Sequence, residues 1–110
     1  MKKWLGVETL GNDKNGCMQD VHWPMGAIGY FPTYTLGAMV AAQLATSFKL
    51  DYPEWSKQWS GGDFSNVHQW LKEKIWSKGS LFKMKDLVVD ATGKELDPSI
   101  YLQHLKDRYL

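Results

Sequence analysis

Six side chains that can exchange hydrogen bonds or protons with a ligand lie within one short segment, residues 16–37. Apart from one aspartate, this segment holds no charged residue. The six side chains are Gln19, Asp20, His22, Trp23, Tyr30 and Tyr34. A set of this kind could donate hydrogen bonds to a developing oxyanion or hold a polar ligand.

Asp20 and His22 are two residues apart, a spacing that could pair the carboxylate with the imidazole. In an extended segment alternate side chains point the same way, so the carboxylate would orient the ring and raise its basicity. Tyr34 falls in the first turn of a predicted helix, where free amides and the helix dipole favour an anion. The alternative stays open that His22 is a structural histidine and that the tyrosines only pack.

Other kinds of site have weaker support. Cys17 near His22 suggests a thiol nucleophile, but no spacing signature accompanies the pair. Cys17, Asp20, His22 and His68 could be imagined as metal ligands, yet the sequence has neither a Cys-x-x-Cys pair nor a His-Glu-x-x-His motif. We therefore predict no metal ligand in this chain. His68 and His104 fall on amphipathic helices and are predicted to be surface or packing residues.

The composition is that of an ordinary globular chain of one domain at most. Of 110 residues, 44% are hydrophobic and 23% are charged, and the net charge of +1 gives no electrostatic reason to expect nucleic acid or an anionic membrane. Prolines and glycines break the longest stretch without Asp, Glu, Lys or Arg, residues 21–48, so no membrane span is predicted. The single cysteine suits a reducing compartment, and we predict a cytoplasmic protein.

The elements that would carry the site are predicted to be helices, after an irregular, glycine-rich first third. From Thr33, the predicted N-cap, apolar residues recur every four positions at Leu36, Val40, Leu44 and Phe48. Alanines fill other faces of this helix, so it should be buried on most sides. A helical chain of this length has few elements to surround it, which suggests that part of the molecule lies outside the sequence.

Three further helices are predicted after a connector that Trp55 and Trp59 anchor. The first two span residues 64–78 and 83–92, each followed by a glycine. The last begins with Asp97 as N-cap and a proline at its first position. Its predicted buried stripe is Tyr101, Leu102, Leu105 and Tyr109. No strand pattern competes, so the fold class is all-α.

Residues 16–23, Gly-Cys-Met-Gln-Asp-Val-His-Trp, resemble the Gly-x-x-Gln-Asp-x-His-Trp signature of the Taq-type zinc metallocarboxypeptidases. The resemblance continues through residues 29–37, Gly-Tyr-Phe-Pro-Thr-Tyr-Thr-Leu-Gly, and on to what looks like the C-terminus of the family. That family is all-helical and removes single residues from peptide C-termini. The resemblance implies a helical C-terminal segment of a larger all-helical zinc peptidase, with residues 1–32 as an active-cleft loop segment and residues 33–110 as helices.

The resemblance also implies roles for the residues of the signature. His22 and Tyr34 would be catalytic, as donors to the oxyanion of the tetrahedral intermediate or to the terminal carboxylate of the substrate. Asp20 would orient His22. The other substrate-binding residues would be Gln19, Trp23 and Tyr30.

Cofactor and partners follow from the same resemblance. The family holds zinc on a His-Glu-x-x-His helix and a later Glu, and this sequence contains no such motif. Zinc is therefore implied by the family but not ligated by this chain. The implied partners are a peptide substrate and a missing N-terminal part of the enzyme. A homodimer is also possible, since the family often forms one. We expect the isolated chain to be inactive. Two alternatives stay open: a catalytically inactive truncated remnant, and a small helical interaction module.

Overall fold

The structure, a computed structural model, describes residues 2–6, 8 and 11–110, except the side chains of Leu5 and Cys17. Every regular element among these residues is an α-helix or a 3-10 turn, and no strand occurs in this described part of the chain. The predicted all-α fold class is confirmed.

The first of two compact units, Met1–Thr33, consists mainly of turns. Among its described residues are one short helix, α1 (Lys2–Leu5), two 3-10 turns, Asp13–Asn15 and Cys17–Gln19, and the first two residues of the next helix. The glycines of this segment allow its chain reversals. The predicted irregular N-terminal third is thereby confirmed.

The second unit, Tyr34–Leu110, contains most of the longest helix, α2 (Pro32–Asp51). This helix begins one residue before the predicted N-cap, because the fixed φ of proline suits the first helical position. Thr33 lies inside the helix, and its Oγ1 donates to the carbonyl of Tyr30 at 2.6 Å. The prediction that Thr33 caps the helix is therefore wrong.

Helix α2 is buried along one side only, as far as the described residues show. Gln43 and Phe48 are each 1% exposed, whereas Leu36, at the start of the predicted stripe, and Ala41 are exposed. Burial on most sides was the wrong expectation for this chain, since too few described elements surround the helix. Although α2 has 20 residues, no helix among the described residues is long and apolar enough to cross a membrane.

Four shorter helices follow: α3 (Trp55–Ser60), α4 (Ser65–Lys74), α5 (Met84–Thr92) and α6 (Pro98–Tyr109). Helix α3 occupies the segment that was predicted as a connector. Helix α4 ends before Ile75, whose φ of −123° and ψ of −64° leave the helical region. A 3-10 turn follows, so the prediction of one continuous helix to residue 78 is wrong.

The ends of α5 and α6 agree with the predicted capping chemistry. Gly93 ends α5 with a φ of 78°, and its N–H donates to the carbonyl of Val89 at 2.7 Å. Oδ1 of Asp97 accepts from the N–H of Ser99 at 3.0 Å, and Pro98 is the first residue of α6. These local predictions are confirmed.

The apolar stripe of α6 is less buried than predicted. Tyr101 and Leu105 are half-buried, but Leu102 and Tyr109 are exposed. The described neighbours of α6 cover only part of its apolar stripe. The prediction of burial is therefore wrong for Leu102 and Tyr109.

An aromatic cluster centred on Phe48 forms the core of the second unit. Its ring centroid lies 5.2 Å from that of Tyr52, 5.9 Å from Trp59 and 6.0 Å from Trp70. The buried indole of Trp70 donates from Nε1 to Oδ2 of Asp51 at 2.7 Å. Because a buried indole N–H needs an acceptor, this bond lets Trp70 fill the core and joins α4 to the end of α2.

Gln43 joins α2 to the connection between α5 and α6. Its Nε2 donates to Oγ1 of Thr92 at 2.9 Å and to the carbonyls of Lys94 and Glu95 at 3.2 and 3.0 Å. Its Oε1 accepts from the backbone N–H of Asp97 at 2.8 Å. One buried amide thus supplies partners to the polar groups of this connection and fixes where α6 begins.

Candidate functional site

Asp20 and His22 meet in a turn of the first unit. Oδ1 of Asp20 lies 2.7 Å from Nδ1 of His22 and accepts the backbone N–H of His22 at 2.9 Å. An aspartate that accepts from the N–H two residues ahead closes an Asx turn. The two side chains meet as the sequence predicts, but a turn brings them together rather than an extended segment.

Both contacts favour the ionised carboxylate of Asp20. The backbone N–H of His22 does most to lower the pKa of Asp20 below its ordinary value, and the hydrogen bond to the ring comes second, while burial acts in the opposite direction. An ionised carboxylate only accepts hydrogen bonds, so we assign a proton to Nδ1 of His22. Asp20 thus contacts the imidazole through Nδ1 rather than through Nε2.

Two aromatic rings restrain the imidazole. Tyr30 stacks on His22 with a centroid distance of 5.4 Å and an interplanar angle of 24°, and Phe31 lies tilted at 4.8 Å. The intervening turn is closed by Ala27, whose N–H donates to the carbonyl of His22 at 2.8 Å, and Gly26 provides its φ of 77°. The turn folds both rings back onto His22. Of the two, Phe31 was not predicted from the sequence.

Two other predicted residues of the first unit contribute differently. The Nε2 of Gln19 donates to the carbonyl of Lys14 at 2.5 Å, which links the two 3-10 turns that precede Asp20. Trp23 follows His22 directly and exposes most of its indole. Gln19 therefore supports the loop, and the indole of Trp23 forms an exposed apolar surface.

Tyr34 is the third residue of α2 and belongs to the second unit. Its side chain is 56% exposed, and that of His22 is 24% exposed, so neither is sealed inside packed helices. This exposure is compatible with their predicted roles. The roles themselves stay predictions.

The described residues do not form a metal site. No three His, Cys, Asp or Glu side chains among them converge closely enough to hold a metal ion. Of the four imagined ligands, Asp20 and His22 pair with each other, and His68 lies 6.2 Å from the ring of Trp76. The fourth, the side chain of Cys17, is outside the described atoms. This donor set does not fit a metal, and metal chemistry is not assigned to it.

The chain that carries Asp20 and His22 has counterparts in known proteins. Residues 1–109 match the family described as Carboxypeptidase Taq (M32) metallopeptidase. The chain belongs to this family. Its sequence is 36% identical over 110 residues to thermostable carboxypeptidase 1 of Pyrococcus furiosus. It is 42% identical over 106 residues to carboxypeptidase 1 of Bacillus subtilis. The resemblance to the Taq family is confirmed.

Solved structures agree with this membership. The chain is similar to Trypanosoma cruzi metallocarboxypeptidase 1, with a TM-score of 0.85, 49% identity and coverage of 99% of this chain and 23% of that one. It is also similar to the BsuCP crystal structure, with a TM-score of 0.88, 40% identity and coverage of 98% and 22%. Both matches support the helical fold.

The chain spans about a fifth of the length of its Taq-family relatives, 22% of the Pyrococcus protein and 21% of the Bacillus protein. It is thus related to one part of a metallocarboxypeptidase. The family consists of metallopeptidases, so a metal ion belongs to its chemistry. For this chain the activity of the whole enzyme is a proposal.

Proposed function

We propose that this chain supplies part of the active cleft of a metal-dependent carboxypeptidase, which hydrolyses the C-terminal residue of peptides. The observation that carries the proposal is the Asp20–His22 pair, in which the carboxylate engages Nδ1 at 2.7 Å and Tyr30 stacks on the ring. Membership of the Taq family supports the reaction class. A ring held in this way can act on a substrate through Nε2.

Peptide hydrolysis creates negative charge on the oxygen of the attacked carbonyl, and the substrate carries a second negative charge on its terminal carboxylate. With both ring nitrogens protonated, His22 donates from Nδ1 to Asp20 and from Nε2 to one of these anions. Because Asp20, Tyr30 and Phe31 already orient the ring, little reorganisation is needed during the reaction. Loss of such a donor lowers turnover by about 100- to 1000-fold.

Tyr34 is proposed as the second donor. Its exposed phenol lies in the first turn of α2, where the helix dipole stabilises negative charge. We assign substrate binding to Gln19, Trp23 and Tyr30. The exposed indole of Trp23 suits an apolar side chain of the peptide, whereas Gln19 acts by holding the loop to Lys14.

We further propose that the metal is zinc and that its ligands lie on residues outside this sequence. No three His, Cys, Asp or Glu side chains among the described residues could hold a metal ion, and Asp20 and His22 contact each other. The isolated 110-residue chain should therefore hydrolyse no peptide. The cytoplasm is proposed as the compartment because a chain with one cysteine suits reducing conditions.

A chimera tests the proposal. In carboxypeptidase 1 of Bacillus subtilis, this chain would replace the 106-residue matched segment, and release of the C-terminal residue from a blocked dipeptide would be measured. We expect activity that a metal chelator abolishes, and none from the isolated chain. Chelator-sensitive hydrolysis by the isolated chain would show that the metal ligands were placed wrongly. A folded but inactive chimera would count against the proposed function.

The role of Asp20 is tested in the same chimera with Asp20→Asn. The substitution keeps an acceptor for the N–H of His22 but removes the negative charge beside the ring. We expect turnover to fall at least about tenfold. A positioned proton donor contributes about 100-fold or more to turnover, and the orientation that Asp20 gives to the ring accounts for part of this. The control is Asp107→Asn, at an exposed carboxylate of α6 that accepts from Gln103. Equal turnover in the two variants would contradict the role of Asp20.

A further inference from the structure

Helix α2 leaves an apolar groove open on one of its faces. This groove, of about 230 Å³, is bounded by α2, α3 and α4 and lined by hydrophobic residues only. Leu44, Val67 and Leu71 belong to this lining, together with Phe48 and Trp70 of the core. A groove lined in this way favours an apolar occupant over water.

A second groove, of about 360 Å³, borders the same helix. It is bounded by α2 and α6 and is more polar, because Thr46, Lys49 and His104 line it beside alanines. Ala41 and Ala45 line both grooves, so they form a ridge of small side chains between them. The two alanines lie one helical turn apart, and Ala41 is exposed.

A ridge of small residues between two grooves has the shape that receives another helix. Small side chains let a second helix axis approach to about 8 Å, and its larger side chains then enter the flanking grooves. Because one groove is apolar and the other is partly polar, the helix that fills both must be amphipathic. Its apolar side would face Leu44 and Leu71, and its polar or acidic side would face Lys49 and His104.

We infer that this surface of α2, the Ala41–Ala45 ridge with its two grooves, packs against a helix from the remaining part of a Taq-family carboxypeptidase chain. Chain length supports this occupant. The same fold occurs in Trypanosoma cruzi metallocarboxypeptidase 1 with a TM-score of 0.85, yet it covers only 23% of that chain. More than three quarters of the solved chain therefore lies outside the match and is available to cover the surface. The inference rests on one part of the proposed function, namely that this chain acts together with the rest of an enzyme chain.

Thiol labelling compares the surface in two settings, the isolated chain and the chimera with Bacillus subtilis carboxypeptidase 1. The natural cysteine is removed by Cys17→Ser, and Ala41→Cys adds a thiol on the ridge. The matched control is Lys85→Cys, at an exposed position of α5 that lines neither groove. We expect A41C to react at least about tenfold more slowly in the chimera than in the isolated chain, since a packed thiol reacts only when its contacts open. K85C should change less than about twofold, because an exposed thiol needs no such opening.

Each outcome decides the inference. Equal labelling of A41C in the two settings overturns it. Slow labelling in the isolated chain that becomes fast on dilution also overturns it, because a second copy of this chain then covers the ridge. If the chimera does not fold, the isolated chain is co-expressed with the unmatched part of the relative, and the same two rates are compared. Labelling does not depend on turnover, so protection of A41C in an inactive chimera supports the inference while counting against the proposed function.

Discussion

Gln43 provides the sharpest test of how the second unit is held together. It is 1% exposed, and its amide makes four hydrogen bonds to residues 92–97, which run from the end of α5 to the N-cap of α6. Gln43→Glu keeps the shape and the Oε1 acceptor. It replaces the Nε2 donor by an oxygen that would lie about 3 Å from three other oxygens.

The expected loss follows from these contacts. A buried hydrogen bond contributes about 1 kcal/mol, and the two N–H groups of Nε2 are shared among three acceptors. Gln43→Ala, which removes all four bonds, should lower the free energy of unfolding by about 2–4 kcal/mol. Gln43→Glu should lower it at least as much at neutral pH, because it also places a charge in a buried site. Acidification should restore part of the loss, since a protonated carboxyl regains one donor.

Urea unfolding followed by the fluorescence of the six tryptophans measures these changes. The matched control is Gln103→Ala on α6, where the exposed amide bonds only to Asp107 one turn away. That control should change the free energy of unfolding by less than about 0.5 kcal/mol. If Gln43→Glu at neutral pH is as stable as the control, the buried amide does not hold the connection and the reasoning fails.

Two further predictions concern single hydrogen bonds. Trp70→Phe removes the hydrogen bond from Nε1 to Asp51 and should lower the free energy of unfolding by about 1–2 kcal/mol. Thermal or urea unfolding measures this change. The exposed control Trp76→Phe should lower it by less than about 0.5 kcal/mol. The pKa of Asp20 is held below its ordinary value of 3.8 in the folded state. The ionised carboxylate therefore stabilises the fold above pH 3.8, and this stabilisation is lost as the pH falls through the lowered pKa. An NMR titration of the Asp20 carboxyl carbon should give a midpoint below 3.8, and a midpoint at or above it would contradict the contact with His22.

The features that the sequence predicts well depend on residues close together in the chain. The N-cap at Asp97 and the glycine that ends α5 each act within a few positions, so their residue types are sufficient evidence. Asp20 and His22 also meet through local geometry, although the Asx turn replaces the extended segment that was expected. In all these cases the physical cause lies within a few residues of the feature itself.

The features that were missed depend on distant contacts. The partners of Gln43 lie 49 to 54 positions away, and nothing next to Gln43 in the sequence indicates them. Phe31 reaches the ring of His22 only because the turn at Gly26 folds back. The interruption at Ile75 falls within an apolar pattern that continues through it.

Burial was overestimated for a related reason. The periodicity of α2 and α6 shows which faces are apolar, but not whether a neighbour covers them. Leu36, Leu102 and Tyr109 are therefore exposed in this chain despite their places in apolar stripes. The packing surface proposed on α2 likewise includes apolar residues that no described neighbour fully covers.

The turnover of His22→Ala in the chimera tests the central claim most directly. His22 is proposed to stabilise an anion through Nε2, so kcat should fall by about 100- to 1000-fold. The melting temperature should shift by no more than a few degrees, because the ring is partly exposed and stacks on Tyr30 of the same loop. His68→Ala, at an exposed histidine of α4, should leave kcat unchanged. A kcat for His22→Ala equal to that of His68→Ala, in a folded and active chimera, would contradict the account.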